Sequence, residues 1–238
     1  VQETDDPFLQ RPFSAQRFTR DGEQLTLMAD RDAKRVWAVD AEKRVVWQYG
    51  VTDEEGMGVN RLLDPFCARY SELDGGTVVI ADTLNASRVI VVRYGDYVAG
   101  APDNGFTEAS IVWSYGTPGS AGSGPGQLDK PHGVDRLANG NILVADEDAQ
   151  RVIEIDWDTK EIAWQYGETD QPGDGANQLK EPNFARRLSD GDTLIADAGN
   201  ARVLRVSADR TIDREYDMRA LARPSWAAAN DPSSPRQA

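Results

Sequence analysis

Apolar and polar residues alternate along most of this chain in runs of four to six, broken by Gly, Asn or Asp. An alternation of period two predicts strands, because successive side chains of a strand point to opposite faces. Four such runs end in Ala-Asp: LTLMAD to Asp30, TVVIAD to Asp82, NILVAD to Asp146 and TLIADA around Asp197. After 5, 6, 5 and 5 residues comes Arg-Val and a second run: RVWAVD from Arg35, RVIVV from Arg88, RVIEID from Arg151 and RVLRV from Arg202. A third run follows as VVWQYG to Gly50, IVWSYG to Gly116 and IAWQYG to Gly167, with TIDREYD around Tyr216 as a degenerate fourth.

Each unit also has an opening strand, marked by Leu-x-x-Pro and a small apolar residue within three positions. The copies are LQRPFSA at Leu9, LLDPFCA at Leu62, LDKPHGV at Leu128, LKEPNFA at Leu179 and LARPSWA at Leu221. Asp-Gly, Gly-Gly and Asn-Gly near Gly75, Gly140 and Gly191 supply the positive φ of tight hairpin turns. The unit is therefore a four-stranded antiparallel meander. Successive Ala-Asp aspartates lie 52, 64 and 51 residues apart. Four strands per repeat at that spacing predict an all-β fold, a β-propeller with one blade per unit. The long middle period is explained by an insertion, residues 93–110, which is expected at the periphery as a contact surface. The chain divides into an N-terminal extension (1–8), the propeller (9–227) and a tail (228–238) rich in Pro, Ser and Ala that reads as disordered. Four complete units and the first strand of a fifth leave three arrangements open: a closed ring of four, part of a longer propeller, or a ring completed by a partner.

Composition narrows the setting. Forty acidic against 26 basic residues give a net charge of −14, which argues against nucleic acid as a partner. No apolar run is long enough to span a bilayer. Arginine outnumbers lysine 21 to 5, a balance shared by salt-adapted acidic surfaces and compatible with an ordinary acidic protein. Cys67 is the single cysteine and reads as a small buried side chain. His132 is the single histidine, so multi-histidine metal sites are excluded and no cofactor is expected. Asn85-Ala86-Ser87 is a glycosylation sequon in a tight turn, and with the start at Val1 it sets the expectation of a secreted or cell-surface protein.

At the Pro, Ala-Asp and Arg-Val positions the pattern resembles the NHL-repeat propellers, best in PHGVDRLANGNILVADEDAQRVIEID from Pro131. The same segment, with Glu161-Ile162-Ala163-Trp164, is similar to the repeats of arylsulfotransferase-like propellers. The resemblance covers roughly residues 9–227. It implies the architecture, while the activities hosted by such propellers range from binding modules to lyases and hydrolases. In the arylsulfotransferases a channel histidine takes the sulfuryl group, and His132 is the residue that matches it. The further histidines that accompany that nucleophile are missing here.

Two readings of the repeated residues follow. Asp30, Asp82, Asp146 and Asp197 form either a ring of carboxylates or, more simply, acceptors for turn N–H groups paired with Arg35, Arg88, Arg151 and Arg202. Phe13, Phe66, His132 and Asn183 follow the blade proline, where the innermost strand enters the channel, and are the candidate channel residues. Functionally the leading expectation is a non-enzymatic interaction or structural module, with a protein partner or self-assembly engaged by loop faces and the 93–110 insertion. The alternative is a propeller enzyme, sulfotransferase-like, with His132 as its catalytic residue.

Overall fold

The computed structural model describes residues 9–219. The extension 1–8, the tail 228–238 and the fifth motif at Leu221 lie outside the described residues. Sixteen strands form four antiparallel sheets, each a meander in chain order. Blade 1 comprises β1 (Pro12–Arg20), β2 (Glu23–Asp30), β3 (Arg35–Val39) and β4 (Val45–Tyr49); blade 2 comprises β5 (Pro65–Ser71), β6 (Thr77–Asp82), β7 (Arg88–Arg93) and β8 (Ile111–Tyr115). Blade 3 holds β9 (Pro131–Arg136), β10 (Ile142–Asp146), β11 (Arg151–Ile155) and β12 (Ile162–Tyr166), and blade 4 holds β13 (Pro182–Arg187), β14 (Thr193–Asp197), β15 (Arg202–Val206) and β16 (Ile212–Asp217). Blades 1, 2 and 3 each pack a forward face on the rear face of the next blade.

Every blade is anchored by a buried carboxylate and guanidinium at the end of its second strand. Asp82 accepts from the backbone N–H groups of Leu63 and Asp64 at 2.9 and 2.7 Å and pairs with Arg88 Nε at 3.0 Å. Asp146 does the same with the N–H of Asp129 and with Arg151, and Asp197 with Lys180 and Arg202. Asp30 accepts from Gln10 and Arg11, with Arg35 3.8 Å away. The amides served belong to the Leu-x-x-Pro segment entering the innermost strand, rather than to the turn that follows the aspartate. The arginines donate onward to carbonyls of the incoming crossing, Arg88 to Met57 and Arg61, Arg151 to Ser123 and Gln127, and Arg202 to Asp174 and Gln178. One pair thus fastens each crossing to the blade it enters.

The seams are apolar. Three buried clusters join blades 1 and 2, 2 and 3, and 3 and 4. Each seam also carries an indole hydrogen bond to a turn of the next blade: Trp47 Nε1 to Tyr94 O, Trp113 to Trp157 O and Trp164 to Ala208 O, all at 3.0 Å. Innermost strands pack side by side as β1–β5, β5–β9 and β9–β13. Among the described residues no buried cluster joins blade 4 to blade 1, and β13 does not pack beside β1 in that way, so the four blades form an arc.

The 93–110 insertion has a packing role besides the contact surface expected of it. Tyr94 and Phe106 are buried, Trp47 stacks on Tyr94 with centroids 5.3 Å apart, and Phe106 meets Trp47 and Tyr49 edge-on. Its aromatic side chains brace the seam between blades 1 and 2, leaving only the outward part exposed at residues such as Val98.

Burial pushes the Asp146 carboxyl up to about 7 against the pull of Arg151. Removing that cation drives the folded-state value higher still, so the variant loses stability as pH rises through it. Arg151→Met is expected to cost about 3–5 kcal/mol at pH 8 and less at pH 5. Urea unfolding at the two pH values measures this, and a small, pH-independent loss would contradict the anchoring role.

Candidate functional site

Each innermost strand begins with a bulge. Register with the second strand shifts just after the blade proline, between Pro12 and Ser14, Pro65 and Cys67, and Pro182 and Phe184, and opposite Ala145 in blade 3. A bulge inserts an unpaired residue and re-aims its side chain. The residues so displaced are Phe13, Phe66, His132 and Asn183, one per blade.

The bulges bring these four together around one cavity. Phe13 and Phe66 have ring centroids 4.3 Å apart; Phe66 lies flat on His132 at 3.8 Å and 4°. Asn183 Nδ2 is 3.0 Å from His132 Nδ1. They border a cavity of about 340 Å³, with Arg69, Cys67 and Phe184 as further walls. The close approach of β9 to β13 requires Gly133, where a Cβ would lie 2.9 Å from Asn183 O and from Phe184 Cα.

Glu147, which follows the anchoring Asp146, is the residue that sequence reasoning missed. It accepts from His132 Nδ1 and Asn183 Nδ2, and from Lys130 Nζ at 2.5 Å. His132 and Glu147 are each only 6% exposed. Burial opposes the charge on Glu147, but hydrogen bonds and charge from His132 and Lys130 outweigh it and hold the carboxyl below the usual range. With Nδ1 engaged, Nε2 is the ring atom available to an incoming group. A carboxylate on one imidazole nitrogen fixes the ring orientation and suits the other for proton transfer or hydrogen bonding.

The remaining candidates sit elsewhere. The four aspartates and their arginines are internal anchors at the blade entries, as described above. Cys67 is buried with its thiol pKa raised by burial, and its Sγ faces Val134 O at 4.0 Å. Asn85 is exposed in the turn between β6 and β7 with φ of +60°. No group of three or more metal-ligating side chains occurs among the described residues, and no helix there is long and apolar enough to cross a membrane.

No family model matches the chain, and no curated protein matches its sequence. Solved structures do. Streptogramin B lyase is similar over 92% of this chain and 56% of its own, with 17% identity and a TM-score of 0.54. The virginiamycin B lyase of Staphylococcus aureus gives 16% identity, 93% and 59% coverage and a TM-score of 0.53. A Bacteroides caccae protein of unknown function gives 16% identity, 87% and 66% coverage and 0.54. The fold is that of a β-propeller. The propeller spans somewhat over half the length of the lyases it matches. At these identities the likeness carries the architecture alone.

The depressed Glu147 pKa has a consequence for stability. A carboxyl whose folded value lies below its unfolded value of about 4.3 stabilises the protein above that pH, and the contribution disappears as pH falls through the folded value. Glu147→Gln should therefore be less stable than the parent at pH 7, with the gap closing below about pH 4. Parallel denaturant titrations would show it; a gap independent of pH would mean that the charge of Glu147 does not matter to the network.

Proposed function

We propose that this chain is a small-molecule-binding propeller module whose site is the channel end framed by Phe13, Phe66, His132 and Asn183. The observation that carries this is the convergence of four bulged residues, one from each blade, on one cavity. Bulges placed there at the cost of sheet pairing aim side chains at a common point, as binding sites require. The walls favour a flat, partly apolar ligand, since Phe13, Phe66 and His132 offer ring faces and edges. Arg69 adds a positive charge inside an otherwise acidic protein, which favours an anionic substituent. This keeps the reading of a non-enzymatic module and moves its contact surface from the insertion to the channel.

The His132–Glu147 pair favours a second reading, in which the site also performs chemistry with His132 as nucleophile or general base. The arylsulfotransferase-like form of that reading needs the imidazole to accept a sulfuryl group. One of the similar structures is a catalytically inactive His-to-Ala variant of virginiamycin B lyase with quinupristin, which concerns that enzyme.

4-Nitrophenyl sulfate is an aryl anion that separates the readings. The binding module should bind it saturably in calorimetry without releasing 4-nitrophenol, and Phe66→Ala should weaken binding about tenfold, or about 1.4 kcal/mol. Release of 4-nitrophenol that vanishes in His132→Ala would establish the enzymatic reading. No binding, or binding indifferent to Phe66, contradicts the channel site.

A further inference from the structure

Glu147 fixes the hydrogen-bond polarity of the cavity beside it. An ionised carboxylate only accepts, so each group that meets it must bring a proton. His132 Nδ1 and Asn183 Nδ2 both meet Glu147 Oε2, and Lys130 Nζ meets Oε1 at 2.5 Å. The proton of a neutral His132 therefore sits on Nδ1, since a bare Nδ1 would set its lone pair against those of the carboxylate. By the same rule the amide of Asn183 turns its nitrogen to Glu147. What the two side chains have left are acceptors, the lone pair of His132 Nε2 and the carbonyl Oδ1 of Asn183. Neither atom has a hydrogen-bond partner among the described residues, and neither is one of the unpaired polar atoms sealed from the surface. Both residues line the cavity, so a ligand there can reach these acceptors.

Further along the inner strands the cavity changes character. Arg69 lies three residues beyond Phe66 on β5, roughly 10 Å at the rise of a strand. It borders the cavity and stands over Phe184, with its guanidinium carbon 5.2 Å from the ring centroid. Its Nη1 donates to Ala15 O at 3.3 Å, while Nε and Nη2 have no hydrogen-bond partner among the described residues and are not buried. Asp135 interacts with both Arg69 and Arg186, so one carboxylate is set against two guanidinium groups and a positive charge is left over.

We infer that the ligand is an aromatic acid with a ring N–H, the N–H meeting the acceptors His132 Nε2 and Asn183 Oδ1 and the acid facing Arg69. This rests on the channel-binding reading above and adds a rule for what the channel selects. A ring N–H suits such acceptors better than a hydroxyl, because it has no lone pair of its own to strip of water. Phe13 and Phe66, beside the acceptors, receive the flat ring.

Calorimetry on the full chain with indole-3-carboxylate and 1-benzothiophene-3-carboxylate tests this, because the second keeps the shape and the acid but has sulfur in place of N–H. The indole acid is expected to bind at least about tenfold more tightly, since its analogue leaves both acceptors unmet. His132→Phe keeps a ring against Phe66 and removes Nε2, and should cut that preference to about threefold or less. The preference is a ratio of two ligands on one protein, so a general loss of stability does not move it. Equal affinities in the parent, no binding of the indole acid, or a preference that survives His132→Phe overturns the inference. 4-Nitrophenyl sulfate, which has no donor, separates this failure from that of the channel reading. If it binds while the indole acid shows no advantage, only the donor rule falls; if none of the three binds, both fall.

Discussion

A carboxylate and a guanidinium buried together at the end of each second strand are what the arc is built on. Each aspartate holds backbone amides of the segment entering its blade, and the partner arginine of blades 2, 3 and 4 holds carbonyls of the crossing that leads there. Long polar crossings could not otherwise be kept against an apolar sheet, because their backbone groups have no ladder to join. The pair satisfies both kinds of group at once. It therefore needs both ions: either alone would be a buried charge without compensation.

Once the crossings are held, the proline that begins each innermost strand is placed, and so is the bulge beside it. That is how structural residues determine the geometry of the candidate site. The same second strand that ends in Asp146 continues into Glu147, which engages His132, Lys130 and Asn183. Anchor and site are adjacent in sequence and share one short turn. The seam tryptophans and the aromatic insertion act at the outer edge, holding the blades at the separation that leaves a cavity between the inner strands.

Much of the fold was legible because its signals are local. The alternation in NILVAD and RVIEID marks β10 and β11, and even the polar run TIDREYD, read by its place in the repeat, forms β16. The convergence of Phe13, Phe66, His132 and Asn183 was legible only as a shared position after proline. The bulge that aims them leaves no mark in a period-two pattern, since it is visible only in the register with a neighbouring strand. Glu147 was hidden for a similar reason: in EDAQ it looks like an ordinary turn acid, and its partners lie 15 and 36 residues away. The bracing role of the insertion was hidden because its exposed residues outnumber Tyr94, Phe106 and Ser110, the three that bury.

Hydrogen exchange at the amides of Leu63, Asp64, Asp129 and Lys180 tests the anchoring role most directly. These four lie in crossings rather than in ladders, yet each donates to a buried aspartate. The account predicts that they exchange as slowly as the amides of β6, β10 and β14, opening only with global unfolding. Exchange at the rate of the neighbouring crossing residues, while those strands stay protected, would contradict it.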